Sequence, residues 1–108
     1  MRNMGRRHTT WERLFIAIEG LASGTEDIQE RLYAAIVHIQ PLLLWEFPEE
    51  VQADIKAIRD RLWRRESLEI RCQDIPTEEA REIVKKLVMI YDIVTCEYCT
   101  PYTNSPRR

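Results

Sequence analysis

Apolar side chains recur at the three- and four-residue spacing of an amphipathic helix in four separate stretches of this chain. In TWERLFIAIEGLASG, Trp11, Leu14, Phe15, Ile18, Leu21 and Ala22 form one stripe. Thr10 is placed to cap that helix, Gly20 weakens it, and Gly24 is placed to end it in a left-handed conformation. In TEDIQERLYAAIVHIQP, Ile28, Leu32, Ala35, Ile36 and Ile39 make the stripe. Tyr33, Ala34 and Val37 add a second apolar face, which predicts a helix sandwiched between others. Asp27 with Glu30, or else Thr25, supplies its cap, and Pro41 stops it by disfavouring helical geometry at Gln40.

The third helix starts at Pro48, with Glu49 and Glu50 in the first turn, where the helix dipole favours acids. Val51, Ile55, Ile58 and Leu62 are its stripe, and Arg61, Arg64 and Arg65 suit its C-terminus. The fourth opens at PTEEA with Thr77 as cap and runs to Cys99. Ala80, Ile83, Val84, Leu87, Tyr91 and Val94 recur along it, and Val88, Ile90 and Ile93 widen its apolar surface. Short links between such helices predict an all-α fold, an antiparallel bundle of four, with the second and fourth helices central. Residues 10–99 form one domain on this reading, with flexible tails at 1–9 and 100–108.

Two connections carry patterns of their own. LLLWEF, residues 42–47, is too apolar to face water throughout, so Trp45 and Phe47 are expected to fold back under the bundle. SLEIRC, residues 67–72, alternates, with Leu68, Ile70 and Cys72 on one side and Glu69 and Arg71 on the other. That is a strand period. An extended connector laying three apolar side chains on the helices explains it; so does a strand that pairs with its own copy across a twofold axis.

At 108 residues the chain is long enough to bury a core without metals or disulfides. Its net charge of −2 conceals an uneven distribution. Arg2, Arg6, Arg7, Arg107 and Arg108 occupy the ends, leaving eleven of the sixteen basic residues against all eighteen acids between residues 12 and 97. A body at −7 repels phosphate, which disfavours nucleic acid as a partner. A helix-turn-helix reading fails as well, because Glu78 and Glu79, like Glu26, Asp27 and Glu30, would meet phosphates with the wrong sign. Met1 to His8 lacks the apolar region of a signal peptide, and no apolar run approaches the ~20 residues of a membrane span. With three cysteines, an odd number, the expected compartment is a reducing cytoplasm.

CEYC, residues 96–99, is the stretch closest to chemistry. Cys72, Cys96, Cys99 and His38 give the ligand count of a zinc site, but His38 lies within a helix and no second close-spaced pair exists. The two cysteines of CEYC finish a helix, where the dipole disfavours the thiolate that a redox motif needs. Small apolar side chains ending a helix are the simpler explanation. Ser23, Ser67 and Ser105 sit in no nucleophile motif. Glu30, Asp54, Asp60, Glu79 and Asp92 lack the Glu-x-x-His pattern of a carboxylate metal site, and a buried Asp92 paired with Arg13 or Arg31 would be structural.

The landmarks TWERLFIAIEGLASGTEDIQERLYAA, EFPEEVQADIKAIRDRL and SLEIRCQDIPTEEAREIVKKLVMIYDIV resemble a family of short, functionally uncharacterised bacterial helical proteins. The resemblance implies a cytoplasmic, mostly helical single domain without assigned activity or cofactor, and does not extend to CEYC or the arginine-bearing ends. The function expected from the residues is a non-enzymatic protein–protein interaction module, with a protein partner or a second copy of itself (a homodimer) as the partner. Its anchors would be Trp45, Phe47 and Trp63, with Leu68 and Ile70 if the alternating segment pairs. The alternatives are a zinc- or thiol-dependent regulator using Cys72, Cys96 and Cys99, and an acidic antitoxin-like accessory protein of a mobile element.

Overall fold

Four helices take up most of the chain: α1 (Arg2–Ser23), α2 (Ile28–Ile39), α3 (Glu49–Leu62) and α4 (Thr77–Cys99). A single 3-10 turn, Leu44–Glu46, lies between α2 and α3. The structure is a computed structural model that describes residues 2–62 and 72–99, with side chains for 8–62 and 72–98. All regular structure among the described residues is helical. No described helix is long and apolar enough to cross a membrane. Residues 67–71 of the alternating segment lie outside the described residues; Cys72, its last member, is buried and helical.

The helical spacing of α3 and α4 translates directly into packing. Val51, Ile55, Ile58 and Leu62 are all buried, as are Ala80, Ile83, Leu87, Ile90 and Val94. From α2 come Leu32, Ala35, Ile36 and Ile39. Its cap is Asp27, whose Oδ1 accepts from the Glu30 amide at 3.0 Å. The second face of α2 is covered only in part: Tyr33 is half-buried against the core, whereas Val37 is 40% exposed and Ala34 is exposed. α1 packs against α2 and α4, and α4 also touches α2 and α3.

α1 differs most from expectation. It starts eight residues before Thr10, so Thr10 is an interior residue, buried, with its hydroxyl donating to the Glu46 carbonyl at 3.4 Å. Residues 2–9, expected as a tail, continue the helix. The buried stripe is Thr10, Leu14, Ala17 and Leu21, while Trp11 and Ile18 are half-buried and Phe15 and Ala22 are exposed. At the C-terminus, neither Gly24 nor any other described glycine has a positive φ. What Gly24 provides is room, since a Cβ there would lie 2.8 Å from Cδ of Arg31. The Arg31 side chain crosses that space to donate to the carbonyls of Leu21 and Glu26, both at 2.8 Å; the first is an acceptor that the end of α1 leaves open, and the second lies in the connection to α2.

Gly20 has no such reason. It lies inside α1, exposed, and a methyl group added there would meet nothing within 4 Å. Gly20→Ala is therefore expected to stabilise the protein by about 0.5–1 kcal/mol, read as a rise in thermal midpoint of a few degrees. A fall in midpoint would mean that another group occupies that space.

Candidate functional site

The connection from α2 to α3 turns the chain through alternating inward and outward side chains. Gln40 keeps helical angles, contrary to the expectation from Pro41, and its amide donates to the Ile36 carbonyl at 2.8 Å. The chain then leaves the helix. Leu42 is buried, and its carbonyl accepts from the Arg59 guanidinium. Leu43 is extended and points outward, 50% exposed. The 3-10 turn follows, closed by the Glu46 and Phe47 amides donating to Leu43 and Leu44 at 2.9 and 3.1 Å. Within it Trp45 is 58% exposed. Phe47 turns back inside at 2% exposure, and its carbonyl accepts from Gln52 Nε2 at 2.9 Å.

The expected pair is therefore split. Phe47 folds under the helices and presents nothing to a partner, whereas Trp45, expected to join it, faces outward. Of the other proposed anchors, Trp63, Leu68 and Ile70 lie outside the described residues.

Several glutamates gather near this corner. Pro48, Glu49 and Glu50 border a surface hollow of about 470 Å³ together with Glu97 from the last turn of α4. None of these three carboxylates has an ion-pair partner among the described residues. Glu46 lies near Arg59, whose pKa is lowered by burial and pushed back up by that carboxylate. Glu49 and Glu50 suit the N-terminal dipole of α3. Glu97 has the opposite placement, an acid in a last turn that holds no basic residue.

The remaining candidates are scattered through the fold. Cys72 is fully buried, and burial pushes its thiol up to about 11, so it is protonated at neutral pH. Cys96 and His38 are both half-buried; the His38 carbonyl accepts from Arg13 at 3.3 Å, and the Cys99 side chain lies outside the described residues. No three His, Cys, Asp or Glu among the described residues are grouped to hold a metal. Ser23 donates to the Glu19 carbonyl at 2.8 Å. Asp92 is exposed, and the arginines suggested for it, Arg13 and Arg31, bond backbone carbonyls instead.

No protein-family model, curated protein or solved structure matches the chain. The reading of its surface therefore rests on its own residues.

Two further surface features are hidden in the sequence. Along α1 and α4 runs an aromatic seam: Trp11 stacks on Phe15 and on Tyr98 with centroids 5.4 Å apart in both cases, and Tyr91 lies 6.4 Å from Trp11. Trp11 Nε1 donates to Thr95 Oγ1 at 3.0 Å, and His8 shares a 2.7 Å hydrogen bond with the Tyr98 hydroxyl. The i, i+4 spacing of Trp11 and Phe15 is the available signal, and periodicity alone assigns it to the core.

Between α3 and α4 lies a groove of about 300 Å³, floored by Ile58 and Ile83. Two ion pairs cross it, Lys86 to Asp54 at 3.5 Å and Arg61 to Glu79. The second is bidentate, with Arg61 Nε and Nη2 donating to the two carboxylate oxygens at 2.5 and 2.8 Å. Those bonds hold Glu79 below the usual carboxylate range and raise Arg61. A depressed acid stabilises the fold above its unfolded pKa, and that contribution is lost as pH falls through the folded value. Because the pair is partly exposed, Arg61→Gln is expected to remove only about 0.2–1 kcal/mol near pH 7. The same variant should lose less stability than wild type on acidification below about pH 4, measured by urea titration across pH. Identical acid limbs in both proteins would contradict the assignment.

Proposed function

We propose that the protein is a non-enzymatic interaction module that binds a protein partner through the corner at Leu43 and Trp45. The observation that carries this reading is the outward placement of these two large apolar side chains between the buried Leu42 and Phe47. A tryptophan 58% exposed leaves most of its ring surface available to a partner. The non-enzymatic part is supported by the positions of the reactive groups: Cys72 is a protonated core thiol, and Ser23 bonds its own helix.

The module is an antiparallel bundle built on its four long helices, with a further short helical stretch at 72–74 before α4, a reading supported along one seam. There, His8 meets Tyr98, Trp11 meets Thr95 and Phe15 lies against Tyr91, so α1 and α4 run in opposite directions. The cytoplasm is the compartment that suits an unpaired Cys72 thiol.

Cross-linking and affinity capture with wild type and Trp45→Ala in parallel test the reading. A partner, or a second copy of the chain, bound by wild type should be lost from the variant while the helical circular-dichroism signal is kept. Equal capture by both proteins would contradict it.

A further inference from the structure

We infer that the outer face of α4 docks on the same face of a second copy of the chain, antiparallel across a twofold axis that passes between Val88 and Met89. This surface is separate from the Leu43–Trp45 corner, and the inference does not rest on that reading.

The inner face of α4 fills the core through Ala80, Ile83, Leu87, Ile90 and Val94. Its outer face carries Arg81, Lys85, Val88, Met89 and Asp92, all exposed, at the three- and four-residue spacing that sets side chains on one side of a helix. Val88 and Met89 are 48% and 49% exposed. The fold does not explain the valine, which lowers helix propensity without packing in return. Phe15 of α1, itself exposed, lies against Tyr91, one turn beyond Val88, and adds apolar area beside the pair.

Charge identifies the occupant. Val88 and Met89 sit midway between Lys85 and Asp92, which are seven residues, or about 10 Å, apart along the helix. That is too far for the two to pair within one helix. Neither Asp92 nor Arg81 has an ion pair among the described residues, and Lys85 reaches only Glu82, at 3.7 Å with both side chains exposed. An antiparallel second copy centred on Val88 and Met89 sets Lys85 opposite Asp92 of the second copy, and Asp92 opposite its Lys85. Arg81, one turn before Lys85, approaches the same carboxylate. At the axis, Val88 of each copy meets Met89 of the other.

No like charges oppose each other in this register, since Glu82 falls opposite Thr95 and Arg81 opposite Cys96. A parallel copy would set Lys85 on Lys85 and Asp92 on Asp92. Charge therefore selects the antiparallel arrangement, which a twofold axis supplies and which closes at two copies. The contact is small for a permanent dimer, so association depends on concentration.

Sedimentation velocity of the full chain, from about 1 µM to about 1 mM, tests the inference. Wild type should pass from monomer to dimer over that range and go no further. Lys85→Glu and Asp92→Lys should each weaken the dimer about tenfold or more, because one substitution turns attraction into repulsion at two contacts. The double variant K85E/D92K exchanges the charges and should restore the wild-type dissociation constant to within about threefold, a recovery that a merely structural role for either residue would not give. Met89→Asp should abolish the dimer. Circular dichroism verifies the fold of each variant. Where a reversal unfolds the chain, K85Q and D92N carry the comparison: each weakens the dimer, and the two together weaken it no further.

A monomer at every concentration, a dimer unmoved by the reversals or by Met89→Asp, a double variant as weak as the single reversals, or assembly beyond two copies overturns the inference. Trp45→Ala should leave the dimer unchanged; its loss in that variant overturns the inference and assigns self-association to the corner. Capture at the corner is compared in the Met89→Asp background, so the failure of one surface is distinguished from the failure of the other.

Discussion

Phe47→Ala is expected to destabilise the protein by about 3–5 kcal/mol and to lower its thermal midpoint by more than about 12 °C. The ring is 2% exposed, and it enters the core where the chain passes from the 3-10 turn into α3. Truncation there removes apolar contact and leaves a void that the surroundings fill only in part. The backbone on both sides is held in place: the Phe47 amide donates to Leu44, and the Phe47 carbonyl accepts from Gln52. Such bracing limits how far the site can collapse onto the missing ring. Thermal unfolding followed by circular dichroism reads the effect. A midpoint within a few degrees of wild type would contradict the placement of Phe47 in the core.

Leu87→Ala should have a comparable effect, about 2–5 kcal/mol. Leu87 is 1% exposed on α4 and borders a residual void of only about 10 Å³ with Ile36 and Ile39 of α2 and Ile55, Ile58 and Arg59 of α3. Three helices therefore meet around one side chain, and very little empty space exists before truncation. Interiors packed this closely lose both transfer free energy and contact when a large aliphatic group becomes a methyl. Urea denaturation measures it: the midpoint should fall while the slope with denaturant is unchanged, since the surface exposed on unfolding is nearly the same. A loss below about 1 kcal/mol would mean that α2, α3 and α4 do not converge on Leu87.

The sequence made α3 and α4 legible because their apolar residues do one job, filling the core. In α1 the apolar residues do two. Leu14 and Leu21 face the interior, whereas Trp11 and Phe15 line the aromatic seam with Tyr91 and Tyr98. Periodicity adds both groups together, so the apparent stripe is rotated away from the true one. Thr10 escapes detection as a core residue because its burial depends on a carbonyl acceptor thirty-six positions away, at Glu46.

The corner shows the same limit in another form. Hydrophobicity gives Trp45 and Phe47 the same preference for the interior, and only the backbone path through the 3-10 turn separates them. The acidic hollow has no local signal, because Glu97 meets Glu49 and Glu50 only through the packing of α4 near the start of α3.

Stability of Trp45→Ala in urea tests the central claim most directly, because the claim is that this tryptophan lies outside the core and is open to a partner. The account predicts an unfolding free energy within about 1 kcal/mol of wild type, as for a surface substitution. A loss of about 3 kcal/mol or more, the magnitude of a truncated core aromatic, would contradict it.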